Sequence, residues 1–133
     1  EVWPKDDGWD AGQLMIQETS HLIEVKFTTG SRVHLSKLQS ETSIESKNEY
    51  VVLVIEDQTN LRNRLELELD SAEIPTDLKD DVISCSSVVK NVYRKLSTVP
   101  NPQEVEPDLN GYWLKKKLWQ GEGDIVTWLL KTF

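Results

Sequence analysis

The chain has 133 residues, the length of one domain rather than two. Hydrophobic residues make up 38% and charged residues 29%, as in ordinary globular proteins, and no apolar run approaches the length of a membrane-spanning helix. The single Cys85 excludes an internal disulfide, and no Cys and His residues have zinc-ligand spacing. The formal charge of -8 argues against a general polyanion-binding surface, because affinity for nucleic acid comes largely from Lys and Arg.

The charge is unevenly distributed along the chain. Residues 49–81 carry ten acidic and three basic residues, whereas residues 82–133 carry five acidic and seven basic residues. Contact with nucleic acid is therefore expected in the C-terminal third and around the loops of a site. Position 1 is Glu and no signal-peptide pattern follows it, so we expect a cytoplasmic fragment of a longer protein, with residues 1–133 forming a single domain.

The first twelve residues contain Pro4, Gly8 and Gly12 with three Asp and two Trp, a composition that predicts a loop. An apolar run over residues 13–17 and an alternating run over residues 21–27 then predict a β-hairpin. In its second strand, Glu24 and Lys26 are two residues apart, and the period of two places both side chains on one face. Residues 32–35 predict a further short strand.

Ser36 and Gln39 have the spacing of a capping box, which predicts a helix from about residue 37 to about residue 47. The apolar and β-branched run over residues 50–55 predicts a strand that is buried on both faces. Residues 61–69 alternate leucines with charged residues, and this pattern predicts an exposed or edge strand.

Residues 77–96 have apolar side chains near helical spacing, which predicts one long helix or two helices with a break near residues 84–87. Residues 100–110 include three prolines and predict a surface loop. Residues 112–120 predict a strand, and Asp124 could cap a last helix over residues 125–133. This order of elements predicts a mixed α/β (α+β) fold, with a central mixed β-sheet flanked by helices.

The acidic residues around the hairpin predict a metal site. Hydrolysis of a phosphodiester near neutral pH needs a divalent cation, and Mg²⁺ prefers oxygen ligands that include one or two carboxylates. Thirteen residues separate Asp10 from Glu24, enough for a turn that brings the two carboxylates together. The backbone carbonyl of Val25 can supply another oxygen. Lys26 would orient or deprotonate the attacking water, or stabilise developing charge.

A family resemblance follows from these residues. Gly8-Trp9-Asp10 and Ile23-Glu24-Val25-Lys26 resemble the Asp and Glu-x-Lys signature of the PD-(D/E)xK, or restriction-endonuclease-like, superfamily. The continuation to residue 56 is similar to NO VEIN-like C-terminal domains and related nuclease-like modules, which are often appended to ATPases and helicases in prokaryotic defence and restriction systems. The resemblance implies a restriction-endonuclease-like core over residues 8–56, followed by a C-terminal extension of helices and a strand over residues 74–133.

The resemblance also implies roles for individual residues. Asp10 and Glu24 would bind Mg²⁺ or Mn²⁺, Lys26 would assist catalysis, and Gln39 would be a supporting polar residue. The superfamily normally has a helix and a strand before its Asp, and only nine residues precede Asp10 here. The acids that could replace it are Asp6, Asp7 and Glu18.

The expected function is that of a metal-dependent DNA endonuclease domain, the effector of a larger restriction or anti-phage defence protein. Its expected partners are DNA and an ATPase or helicase module, and a homodimer is compatible with this function. One alternative is a catalytically inactive nuclease-like module for protein interaction or assembly, which agrees with the negative charge and with the tryptophans near both ends. Another is an unrelated binding domain with an accidental Glu-x-Lys.

Three further features each have two interpretations. His34 could support the site by contacting phosphate, or it could be an ordinary strand histidine. Trp113 and Trp119 bracket three lysines, so they could stack on bases, or they could pack in the core while the lysines face water. Cys85 has no sequence signature of a nucleophile and is expected to be a buried structural thiol.

Overall fold

The computed structural model describes residues 2–4, 11–16, 19–57, 61–69 and 75–132, and within these ranges it describes the side chains from His21 onward except those of Arg62 and Leu69. Eight strands are present in these ranges: β1 (Val2–Pro4), β2 (Ala11–Ile16), β3 (Thr19–Thr28), β4 (Arg32–Ser36), β5 (Tyr50–Glu56), β6 (Ser86–Val89), β7 (Val105–Asp108) and β8 (Gly111–Lys115). The α-helices in the same ranges are α1 (Lys37–Ser46), α2 (Leu61–Leu69), α3 (Thr76–Ser84), α4 (Val92–Ser97), α5 (Lys116–Trp119) and α6 (Ile125–Thr132). A 3-10 helix at Lys47–Glu49 follows α1.

The strands form two sheets. Five strands form a mixed sheet in the order β1-β2-β3-β5-β6, and three form an antiparallel sheet in the order β4-β8-β7. In the larger sheet β3 is antiparallel to β2 and parallel to β5, so that Glu24 lies opposite both Ala11 and Val52. The parallel pair is connected by a crossover through β4 and α1. The predicted mixed α+β class, with a mixed sheet flanked by helices, is confirmed.

The elements around the Glu-x-Lys strand follow the predicted pattern. The hairpin is β2 with β3, and α1 begins at Lys37 as expected. The capping box is present: the Ser36 side chain accepts from the Gln39 backbone N–H, and the Gln39 side chain accepts from the Ser36 backbone N–H. The predicted strand at residues 50–55 is β5, whose residues are buried or half-buried up to Ile55.

Residues 61–69 form helix α2, so the predicted edge strand was wrong. Leu61, Leu65 and Leu69 are spaced by four residues, which fits one face of a helix as well as it fits alternation. The segment consists of Leu, Arg, Glu and one Asn, mostly strong helix formers, and it has no β-branched residue. The Asp57 carboxylate also accepts a hydrogen bond from the Leu61 backbone N–H at 2.8 Å, which satisfies a donor in the first turn.

Five further elements depart from the predictions, and long-range pairing decides the strands among them. Val2–Pro4, predicted as loop, is an edge strand paired with β2, and a proline is tolerated at such an edge. The predicted helical break near residues 84–87 is strand β6, which pairs with β5. The predicted loop over residues 100–110 contains β7, and the predicted strand over residues 112–120 ends at Lys115 and continues as α5.

The main core lies between the two sheets. Its buried side chains come from both the predicted nuclease-like core and the predicted extension, and they include Leu35, Tyr50, Val52, Val89, Leu114 and Trp119. On the other face of the larger sheet, Trp128 of α6 packs against Val51 and Val88. Burial of each such side chain contributes about 1.5–3 kcal/mol, so residues from both regions stabilise the same core. None of the helices in the described ranges is long and apolar enough to cross a membrane.

Gly111 fixes the β7–β8 hairpin against β4. Its φ is +142°, and a Cβ atom there would lie 2.0 Å from the backbone oxygen of Leu35. Gly111→Ala is therefore expected to lower the free energy of unfolding by at least about 2 kcal/mol, measured by urea denaturation. Gly30→Ala is the matched control, because no atom lies within 4 Å of its Cβ position; a change within about 0.5 kcal/mol is expected. Equal losses for the two variants would contradict the steric explanation.

Candidate functional site

The candidate site is formed by side chains of β3 and α1. Alternation along β3 directs Glu24 and Lys26 to the face of the sheet on which α1 lies, as their mutual contact and their contacts with Gln39 show. Gln39 is in the first turn of α1, at the third position after the Ser36 cap. Because β4 runs directly into α1, the capped helix begins beside these two residues of β3.

Three side chains form a closed ring of polar contacts. The Gln39 Nε2 donates to Glu24 Oε1 at 2.9 Å, and Lys26 Nζ donates to Gln39 Oε1 at 3.0 Å. Lys26 Nζ is 3.3 Å from Glu24 Oε1, which closes the ring. Gln39 Oε1 accepts a second hydrogen bond from the Ser36 backbone N–H at 2.9 Å. Gln39 therefore both caps its own helix and connects the acid to the base.

The ring is buried at one end and reaches solvent at the other. Glu24 is 0% exposed, whereas the Lys26 side chain is 20% exposed. A carboxylate removed from water costs several kcal/mol unless opposite charge and hydrogen bonds compensate it, and Lys26 and Gln39 supply both. Tyr50 is buried beside this charge: burial and, to a smaller extent, the Glu24 carboxylate raise the pKa of Tyr50 above its usual range.

The described residues include some oxygen donors of the kind that a metal site would need. Glu24 provides a carboxylate and Val25 a backbone carbonyl, the oxygen donors that Mg²⁺ and Mn²⁺ prefer. Asp10 lies outside the described residues, as do Asp6, Asp7 and Glu18; Ala11, which follows Asp10 in the chain, is registered opposite Glu24. Within the described ranges no three His, Cys, Asp or Glu side chains form a cluster that could hold an ion. The two donors fit such an ion in type, and a second carboxylate ligand would have to come from outside the described ranges.

His34 belongs to a different cluster. Its Nε2 lies 3.1 Å from Asp108 Oδ2 across the smaller sheet, and its ring makes an edge contact with Trp113 at 4.7 Å between centroids. The Arg32 guanidinium lies 4.1 Å from the centre of the Trp113 ring. The hydrogen bond with His34, followed by one from the Asn110 backbone N–H, lowers the pKa of Asp108. The contacts of His34 therefore join β4 to β7 and β8 rather than to the Glu24 ring.

The tryptophans and lysines near the C-terminus are mostly engaged within the chain. Trp119 is buried and donates to Glu56 Oε1 at 3.0 Å, so the core-packing interpretation is confirmed for this residue, whereas Trp113 is only half-buried. The three lysines between them each contact an acceptor: Lys115 the Pro102 carbonyl, Lys116 the Glu56 carboxylate and Lys117 the Gln103 side chain. Cys85 is half-buried at the end of α3 rather than fully buried.

Tyr50 is the residue of this environment that the sequence did not single out. Its only local signal is that it is the one side chain with a polar end in the apolar run of β5. The register that pairs Tyr50 with Leu22 is what places it near Glu24, which is two residues further along β3.

The site is interpreted from its geometry, because no family model, curated protein or solved structure matches this chain.

The ring makes Lys26 important for stability. Lys26→Met leaves a buried carboxylate without its cation and is expected to lower the free energy of unfolding by about 2–4 kcal/mol in urea denaturation. The double variant Glu24→Gln/Lys26→Met removes both charges and should recover most of this loss. Lys116→Met is the control, since its ion pair with Glu56 is more exposed; a loss of about 0–1 kcal/mol is expected. A double variant no more stable than Lys26→Met would contradict charge compensation.

The raised pKa of Tyr50 predicts that the folded protein loses stability at alkaline pH. Because its pKa is raised in the folded protein, folding keeps the proton on Tyr50 while the unfolded chain loses it above its ordinary pKa of 10.0. The stability contribution is thus complete below that pH and declines above it, by up to about 1.4 kcal/mol per pH unit. Tyr50→Phe should show a smaller decline than the wild type in urea denaturation at a series of pH values. Tyr93→Phe, at a half-buried tyrosine of α4, should decline like the wild type, and parallel curves for all three proteins would contradict the prediction.

Proposed function

We propose that this chain carries the catalytic site of a metal-dependent endonuclease of the PD-(D/E)xK type, which hydrolyses phosphodiester bonds in DNA. The observation that supports the proposal is the ring of Glu24, Lys26 and Gln39. It combines a buried carboxylate with a lysine that reaches solvent, and a helix-capping glutamine holds both side chains. A buried, charge-paired cluster of this kind is a common feature of functional sites.

The order of elements supports the same proposal. A hairpin leads into the Glu-x-Lys strand, a capped helix follows, and β5 returns parallel to β3. This is the context in which the sequence resembles the superfamily. Strand β1 adds to the resemblance, because members normally have a strand before their Asp.

Each residue of the ring has a distinct role in the proposed reaction. Glu24, the Val25 carbonyl and Asp10 would hold Mg²⁺ or Mn²⁺, an ion that when bound neutralises phosphate charge and makes water more nucleophilic. Lys26, the member of the ring with solvent access, would orient the attacking water or stabilise charge on the phosphate. Gln39 is a positioning residue: it fixes the Lys26 ammonium and the Glu24 carboxylate by one hydrogen bond each.

The charge of the chain suggests where DNA affinity comes from. With a net charge of -8 and its C-terminal lysines mostly engaged with acceptors, this chain is a poor match for a polyanion. We therefore propose that it is the effector of a larger restriction or defence protein, in which an ATPase or helicase module binds DNA. A cytoplasmic location is part of the proposal, because DNA is found there and the free thiol of Cys85 suits a reducing compartment.

A second candidate function is favoured by the burial of Glu24. Its carboxylate is 0% exposed, and one of its oxygens already receives contacts from Lys26 and Gln39. In this candidate the ring only stabilises the crossover between β3 and β5, and the domain serves protein interaction or assembly. The two candidates differ in whether the ring performs chemistry, so they can be separated by experiment.

The test is cleavage of plasmid and linear DNA in the presence of Mg²⁺ or Mn²⁺. Glu24→Gln and Lys26→Met are expected to lower the cleavage rate at least about 100-fold, because general acid–base and charge-stabilising groups contribute on that order or more. Lys117→Ala is the matched lysine control, since Lys117 contacts Gln103 away from the ring, and it should cleave at the wild-type rate. Circular dichroism is the check that each variant is folded.

The metal ligand beyond the ring is assigned in the same assay. Asp10→Asn should abolish cleavage, whereas Asp6→Asn, Asp7→Asn and Glu18→Gln should not. Millimolar Mg²⁺ should raise the melting temperature of the wild type but not of Glu24→Gln, because a ligand that binds only the folded state stabilises it. Cleavage unchanged by Glu24→Gln and Lys26→Met would refute the proposed site. Absence of both cleavage and a metal-dependent shift would establish the inactive module instead.

A further inference from the structure

Helix α1 has an inverted distribution of polar and apolar residues. Its buried residues are the polar Gln39, Ser40 and Ser43, whereas Leu38 is 45% exposed and Ile44 is 38% exposed. A surface helix normally buries its apolar stripe and leaves polar residues in water. The Glu24 ring explains why Gln39 lies on the buried face, because the ring requires its side chain. The exposed apolar side chains have no such explanation within the described part of the chain.

A cleft lies beside this exposed face. It has a volume of about 270 Å³ and is formed between α1 and the β7–β8 hairpin, with Ile44, Pro107 and Tyr112 among its lining residues. Leu109, at the tip of the hairpin, also lines the cleft and is 99% exposed. The volume is small for a ligand pocket, which usually holds 300 Å³ or more, and it suits one inserted side chain better.

The charges around the cleft are complementary to each other. Lys37 and Glu41 both line it and are one helical turn apart on the exposed face of α1. Neither side chain has a hydrogen bond or ion pair with any residue that the structure describes. A two-fold axis across antiparallel helices would place Lys37 against Glu41 of the partner subunit, and Glu41 against Lys37 of the partner subunit. The same axis suits an exposed leucine at the edge of a cleft that Ile44, Pro107 and Tyr112 also line.

We propose that this surface binds a second copy of the chain. The α1–hairpin surface, defined by Lys37, Leu38, Glu41, Ile44 and Leu109, packs on its own copy about a two-fold axis, and Leu109 enters the cleft of the partner subunit. A nucleic acid would be repelled by Glu41 and Asp108. A peptide with charges of only one sign would pair with either Lys37 or Glu41 but not with both. A second copy pairs both Lys37 and Glu41, while Asp108 remains bonded to His34 of its own chain. This inference does not depend on the proposed endonuclease activity.

The apolar part of the proposal is tested by sedimentation velocity over a range of protein concentrations, without DNA or divalent metal. The wild type should show a reversible monomer–dimer equilibrium, and Leu109→Asp should raise its dissociation constant at least about tenfold. Val99→Asp is the matched control: Val99 is equally apolar and 94% exposed, but it lies in the connection between α4 and β7. It should leave the equilibrium unchanged.

The pairing of Lys37 with Glu41 across the axis is tested by reversing each charge separately and then both together. Lys37→Glu and Glu41→Lys should each weaken the dimer, because each places like charges across the axis, whereas the double variant Lys37→Glu/Glu41→Lys should restore it. A purely structural effect of either substitution would not be restored in this way. The proposal is overturned if the wild type remains monomeric at all concentrations, if Leu109→Asp and Val99→Asp behave alike, or if the double variant dimerises no better than the single ones.

Discussion

The buried carboxylate of Glu24 is the constraint on which the arrangement around the site depends. A charge at 0% exposure has to be compensated, and the compensation comes from two directions: Lys26 on the same strand and Gln39 on the following helix. Gln39 can do this only because the capping box with Ser36 fixes the first turn of α1. Gln39 therefore serves both as a local helix-start signal and as a long-range contact, and its hydrogen bonds connect β3, β4 and α1.

The ring explains why α1 has its unusual orientation. A helix placed by its apolar residues would turn Leu38 and Ile44 inward, yet Gln39, Ser40 and Ser43 occupy the buried face. Satisfying one buried charge thus has the consequence of leaving apolar side chains at the surface. In this way the candidate site on one side of α1 and the proposed dimer surface on the other have a common physical origin, although each can exist without the other.

The features that the sequence associated with nucleic acid make their contacts on or beside the smaller sheet rather than with the ring. His34, Arg32 and Trp113 interact with one another and with Asp108 on its half-exposed face. Trp119 and the neighbouring lysines pair with Glu56 and with the connection before β7. These contacts hold the C-terminal region on the core, and they reduce the number of cations available for phosphate. A catalytic role for the ring therefore agrees best with DNA binding by a partner.

The sequence by itself determined the features that depend on local periodicity and capping. Two-residue alternation placed Glu24 beside Lys26, the Ser36 and Gln39 spacing located the start of α1, and the apolar run located β5. Residues 61–69 are helical for a reason that is also local: their leucine spacing fits a helix as well as alternation, and their composition favours a helix. Only the tertiary structure decided that residues 86–89 pair with β5 and that Gln39 joins Glu24 to Lys26. Strand pairing and the burial of a charge depend on residues that are distant in the chain. No short segment of the sequence contains both partners of these interactions, so local patterns could not predict them.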